Sequence, residues 1–202
     1  MDAQRLRECS PEWFETPRVR LEKIQESHAG VLRESVLRSM DDLQFVDWSR
    51  GRWDLTQARR FCRSSRLTME REGRFLTYLV FERQRRVGAA SLSARGEYVG
   101  LLDLHAFEWA VPACQIGYVG DSAQRGRGLM REAALALVAQ AFAWGMHRVE
   151  AWCDARNQRS IQFAQGLGFQ LEGRLRDGAR DADGALCDQV LLARLATDPS
   201  PA

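Results

Sequence analysis

Residues 113–133 read ACQIGYVGDSAQRGRGLMREA, and the order of their parts decides the fold. Residues 114–119 alternate as a strand does. Residues 120–128 form a loop with glycines at 120, 126 and 128. Residues 129–144 then run apolar on nearly every side, which predicts a buried helix. Gly145 is placed to end that helix in the left-handed conformation. HRVEAWC, at 147–153, returns as a strand. Strand, glycine loop, helix and strand make a βαβ unit over 114–153.

Such a unit presents an anion site where the loop meets the helix. The first turn of a helix has N–H groups without intrahelical partners and carries about half a positive charge. Gly126 and Gly128 have no Cβ, so phosphate oxygens can approach the backbone. Arg125 and Arg127 add mobile positive charge. Two common phosphate loops are excluded by their spacing. The dinucleotide fingerprint needs a third glycine where Arg131 stands, and the GK[ST] of the Walker loop is absent.

Working upstream, FLTYLVFE (75–82) is a strand, RQRR (83–86) a turn and VGAASLS (87–93) a returning strand. VGLLDLHAF, within 94–113, can extend this meander. VRLEKI, after Pro17, is a short alternating strand with Val19 and Leu21 on one face. Residues 27–40 have helical spacing through Val31, Leu32, Ser35 and Val36. Residues 41–54 break the pattern and carry Phe45, Trp48 and Trp53. Thr56 is the candidate cap of a helix reaching about Glu72. Downstream, 157–166 is a short helix, 167–169 a turn into QLEGRLR, Asp183-Gly184 a hairpin turn and 189–195 the last strand. Residues 1–15 read as a loose N-terminal arm, 16–195 as one domain and 196–202 as a flexible tail.

The bulk numbers agree with one soluble domain. Of 202 residues, 45% are hydrophobic and 28% charged, the range of a chain that can bury its own core. A net charge of +2 is too small to argue for nucleic acid or membrane binding. Five scattered cysteines with no CxxC pair fit reduced thiols, and His28, His105 and His147 have no metal-ligand spacing. MDAQRLRECS lacks the apolar core of a signal peptide, and no run has the length of a membrane helix. The expected location is the cytoplasm.

Three stretches together, ACQIGYVGDSAQRGRGLMREA, NQRSIQFAQGLGFQLEGRLRD (157–177) and DGALCDQVLLARL (183–195), resemble the GNAT acetyltransferases, and within them the Rim-type N-acetyltransferases of ribosomal-protein N-termini. The resemblance implies an α/β fold with a mixed, mostly antiparallel sheet and helices on both faces. It implies acetyl-CoA as co-substrate, with no metal, and a primary amine as acceptor. A peptide N-terminus is the first expectation. A small-amine or antibiotic-detoxifying enzyme and a non-catalytic acyl-CoA-binding regulator are the alternatives. A homodimer is also in keeping with it.

By the same resemblance, the pantetheine arm lies along the strand at Tyr118, Val119 and Gly120. The pyrophosphate sits on Gln124, Arg125, Gly126, Arg127, Gly128 and Leu129. Asn157 contacts the cofactor, and Ser160 lies near the sulfur as the catalytic candidate. Both residue types also favour helix starts, so a capped helix is the competing reading for them. Phe45, Trp48 and Trp53 are expected to wall the acceptor cleft, with plain core packing as the competing reading. The general base is left open among Asp103, Glu108, Asp121 and a water chain. The sequence departs from the family in two places. Ala123 stands where the glycine motif begins with Gln or Arg, and Ala164 stands where many members carry a tyrosine general acid.

Overall fold

The strand Ala113–Gly120 (β5), the helix Leu129–Ala143 (α4) and the strand Arg148–Asp154 (β6) form the centre of the molecule in a computed structural model that describes residues 2–83, 96–181 and 183–201. β5 and β6 are parallel, as a strand–helix–strand crossover requires. The remaining described strands are Trp13–Glu15 (β1), Val19–Lys23 (β2), Phe75–Glu82 (β3), Tyr98–Glu108 (β4), Gln170–Arg180 (β7) and Leu186–Leu195 (β8). Their order across the sheet is β1-β2-β3-β4-β5-β6-β8-β7. Every neighbouring pair except β5–β6 is antiparallel. The mixed, mostly antiparallel sheet is therefore observed.

Helices cover both faces. The other described α-helices are Ala3–Cys9 (α1), Ala29–Arg38 (α2), Leu55–Glu72 (α3) and Gln158–Gly166 (α5). Strand alternation sorts the apolar residues into two cores. Tyr78, Leu102, Leu104, Ile116, Val149 and Leu192 meet α4 on one face. Leu79, Phe81 and Leu101 meet Leu32, Val36, Ala58 and Cys62 of α2 and α3 on the other. α4 buries Leu129, Ala133, Ala134, Leu137, Val138 and Ala141, which explains its lack of a polar stripe.

Several local readings need correction. The first fifteen residues are not loose: α1 buries Leu6 completely, and β1 pairs with β2. Phe14 meets the Tyr78 ring edge-on at 5.3 Å. A single apolar residue in a polar helix gives too little periodicity to read in advance. The cap of α3 is Asp54, whose carboxylate accepts from the Gln57 N–H at 2.9 Å, and Thr56 lies inside the helix. A carboxylate at this end also meets the positive pole of the helix. β4 carries the meander on as one long strand, in which Leu102 and Leu104 alternate with Asp103 and His105. The returning strand expected at 87–93 lies outside the described residues. β7 and β8 are each longer than read, and the tail folds into a turn closed by Asp198 on the Leu195 N–H.

Candidate active site

β5 and β6 are bonded over only part of their length. Ala113, Cys114 and Gln115 pair with Arg148, Val149 and Glu150, and there the pairing stops. β5 continues to Gly120 against β4, while β6 continues to Asp154 against β8. From Ile116 onward, then, β5 has a neighbour on one side only among the described residues, in the middle of a sheet. An unpaired strand edge is a template for another extended chain. Tyr118, Val119 and Gly120 lie on this stretch.

At the end of β5 the chain turns on Asp121. Its side chain is 1% exposed and takes hydrogen bonds from Arg38 at 2.9 and 3.2 Å and from the Ala123 N–H at 2.8 Å. That engagement makes it a structural residue and removes it from the open cleft. Gly126 and Gly128 follow with φ of +77° and +72°, where only glycine is unstrained. Gly128 is the N-cap of α4 and supplies no side-chain cap, so the first N–H groups of the helix are left to a ligand. A Cβ at Gly126 would meet no described residue within 4 Å, so that side of the loop is open among them. The residues fit a phosphate there.

The charges around the loop are less mobile than expected. Arg125 is paired with Asp42, which also holds Arg159 at 2.6 Å. Arg127 is paired with Glu82 at 2.6 Å. Gln124 donates to Glu97 at 2.8 Å. Arg18, just before β2, donates to the Arg127 carbonyl at 3.1 Å and is held by Glu132 at 2.5 Å. Arg18 and Asp42 were not legible as site residues, because neither carries a local motif. Only the fold brings them 109 and 83 residues along the chain to the loop.

On the α4–α5 face of the cleft, three side chains meet. The Tyr118 hydroxyl lies 2.9 Å from the Ser160 carbonyl and 2.8 Å from the Ser160 hydroxyl. The Ser160 hydroxyl is 3.1 Å from the Cys153 sulfur. A single donor assignment satisfies all of them. Tyr118 donates to the Ser160 carbonyl, Ser160 donates to the Tyr118 oxygen, and the Cys153 thiol donates to Ser160. Burial pushes the Tyr118 phenol and the Cys153 thiol up, so both keep their protons at neutral pH. Asn157 caps α5 by accepting from the Ser160 N–H at 3.1 Å, so its side-chain oxygen is engaged in the helix. Ala164 is fully buried.

The three aromatics divide. Trp53 is 3% exposed and packs with Trp48 and Phe61 in the α2–α3 core, at ring separations of 5.6 and 5.9 Å. Trp48 is partly buried beside it. Phe45 is half-buried, with the Arg156 guanidinium 5.8 Å above its ring. Of the carboxylates considered as bases, Glu108 accepts from the Ala110 N–H at 3.0 Å in the β4–β5 turn, at the end of β5 away from the loop. Asp103 lies against Gly117, on the stretch of β5 that has parted from β6.

Residues 18–170 match the family described as acetyltransferase (GNAT) domain, which is well over half of the chain. The probable N-acetyltransferase YjcK of Bacillus subtilis is 36% identical over 90 residues, 44% of this chain and about half (49%) of that protein's length. An uncharacterized N-acetyltransferase, p20 of Bacillus licheniformis, is 26% identical over 89% of this chain and 94% of its own. Among solved structures, RimL, a ribosomal L7/L12 alpha-N-protein acetyltransferase in complex with coenzyme A, superposes with a TM-score of 0.78. That likeness has 26% identity and covers 91% of this chain and 98% of RimL. With a parted β5–β6 pair, an open helix N-terminus behind a two-glycine loop and this family match, the chain belongs to the GNAT acetyltransferases.

Proposed function

We propose that the protein transfers an acetyl group from acetyl-CoA to the N-terminal amine of a peptide or protein in the cytoplasm. The parting of β5 from β6 beside the open N-terminus of α4 carries the reading. A pantetheine arm is an extended chain with amide groups, and the free edge of β5 at Tyr118, Val119 and Gly120 offers it backbone partners. A pyrophosphate fits the uncapped N–H groups from Gln124 to Leu129, where the helix pole and the left-handed glycines favour an anion. Acceptance of a protein N-terminus is supported by the likeness to RimL across nearly the whole of both chains.

Acetyl transfer needs the thioester carbonyl polarised and the departing thiolate stabilised. An N–H of β5 between Tyr118 and Gly120 serves the first need. Ser160 serves the second: its hydroxyl sits at the cleft, held by Tyr118 and Cys153, and its proton turns from the Tyr118 oxygen to the sulfur as negative charge gathers there. Phe45 lines the acceptor's approach, backed by Trp48 and Trp53, which hold the 39–54 segment against α3.

The test is a screen for thiol release from acetyl-CoA with peptides and small amines, followed by mass-spectrometric mapping of the product. Acetylation of a free peptide N-terminus is expected, with internal lysines spared. An α-amine has a pKa of about 7.7–8.0 and a lysine about 10.4, so the first is far more often neutral at pH 7. Modification of small amines alone overturns the peptide assignment, and binding without turnover on any amine makes the protein an acyl-CoA sensor.

A further inference from the structure

We infer that Asp103 is the general base that takes the proton of the acceptor amine, with His105 as its positioning residue and Gly117 as the vacancy that admits it. The inference rests on the acetyltransferase reading above.

Along β4, Leu102 and Leu104 enter the α4 core, so Asp103 and His105 stand on the opposite face of the sheet. Asp103 is registered with Thr77 of β3 and with Gly117 of β5. Its carboxylate does not point straight out. A Cβ built on Gly117 would collide with Oδ2 and would lie 3.0 Å from Cγ and from Oδ1. The carboxylate therefore lies across β5, in the space any other residue at 117 would fill. Beyond β5 in that direction is the opening where β6 has parted. Gly117 precedes Tyr118, so adjacent residues of one strand put Asp103 and the Ser160–Tyr118 pair on opposite faces of the same opening.

The orientation is held by a second residue. His105 Nδ1 is 2.6 Å from Asp103 Oδ1, and the imidazole lies nearly flat on Phe75, with 5.5 Å between centroids and 15° between planes. The ring donates through Nδ1 to one carboxylate oxygen and leaves Oδ2 over Gly117. Among the described residues, Asp121, Glu132, Asp154 and Asp188 are each paired with an arginine, which ties up their oxygens. Asp103 is paired with an imidazole instead. Its side chain is 17% exposed, enough to meet an entering amine.

The acceptor arrives as an ammonium ion, is drawn to the carboxylate, and loses one proton to solvent. The neutral nitrogen attacks the thioester carbon, and the N–C bond forms. Asp103 Oδ2 takes the second proton from that nitrogen. The C–S bond breaks, the electron pair leaves on sulfur beside Ser160, and the thiolate is protonated. Asp103 returns its proton to solvent, so one proton is released per turnover.

The experiment uses the full chain, acetyl-CoA and an acceptor peptide. Asp103→Asn keeps the shape and removes the base. It should lower kcat about 100-fold, a usual contribution of general-base catalysis, with acetyl-CoA affinity unchanged. The same peptide with its N-terminal amine replaced by a hydrazide, whose weakly basic nitrogen gives up its proton to water readily once bonded to the carbonyl carbon, should narrow that deficit at least tenfold. A residue that merely shapes the cleft would hurt both nucleophiles equally, and that result overturns the assignment, as does a kcat within twofold of the unaltered protein. His105→Ala should lower kcat, and His105→Gln, which can still donate to Asp103, should recover part of the loss. Equal loss in both removes His105 as the positioning residue. If the unaltered protein turns over no amine, the acetyltransferase reading itself fails, which is distinguishable from any of these.

Discussion

The two halves of the cleft are built from different materials. The half proposed for the cofactor, from Gly117 to Leu129, is a backbone surface: a strand edge, two left-handed glycines and the N–H groups of a helix. The half proposed for the acceptor, Phe45 to Trp53 together with Asp103 and His105 of β4, is a side-chain surface. Its aromatics pack on α3, and its carboxylate is held by a ring. Backbone groups are interchangeable between sequences as long as the local conformation is kept. Side chains are not, so one half can stay constant in a family while the other sets the acceptor. Asp42 spans the two, holding Arg125 of the loop and Arg159 of α5 from the segment that carries Phe45.

The largest expected effect tests the acceptor half. Trp53→Ala removes a side chain that is 3% exposed and leaves a cavity between Trp48 and Phe61. It should cost about 3–5 kcal/mol of stability, read by urea denaturation. Acetyl-CoA affinity, measured at a temperature where the variant is folded, should hardly change. A parallel loss of affinity would mean that the two halves are one unit.

Gly126→Asp attacks the other half. The new carboxylate enters open space at φ +77°, beside the site for phosphate. It should weaken acetyl-CoA binding by about 100-fold through charge repulsion at the helix pole, with the protein still folded. Calorimetric titration reads it, and unchanged affinity moves the phosphate elsewhere.

Ser160→Ala should act on neither half alone. Removing its hydroxyl takes away a donor needed mainly when negative charge gathers on sulfur, so kcat should fall about tenfold while acetyl-CoA affinity holds. Loss of binding in proportion would make Ser160 a structural partner of Tyr118 only.

The smallest effect concerns the joint between β2 and α4. Burial acts to raise the Glu132 carboxyl, but the Thr16 hydroxyl, the Arg18 N–H and the Arg18 guanidinium outweigh it and hold the group below its usual 4.5. A depressed carboxyl contributes stability above its unfolded value and loses it as pH falls through the folded one. Glu132→Gln should cost about 1 kcal/mol at pH 7 and show a shallower loss of stability below pH 4.5, read by urea midpoints at a series of pH values. An unchanged slope would assign the acid sensitivity to other carboxylates, such as Asp154 beside Arg156.

What the chain shows by itself follows the same division. The order of β5, loop, α4 and β6, the bounds of β3, the cap at Asn157 and the turn at Gly184 are all local. Each rests on periodicity, a glycine's allowed φ or a capping side chain, within about a turn or a strand. Tertiary structure alone decided the rest. The place where β5 leaves β6, the burial of Leu6, the arrival of Arg18 and Asp42 at the loop and the tilt of Asp103 over Gly117 depend on residues far apart in the chain. A carboxylate's neighbours across a sheet are set by strand register and not by its flanking sequence, which is why Asp103, Glu108 and Asp121 looked alike until β4, β5 and α2 were in place.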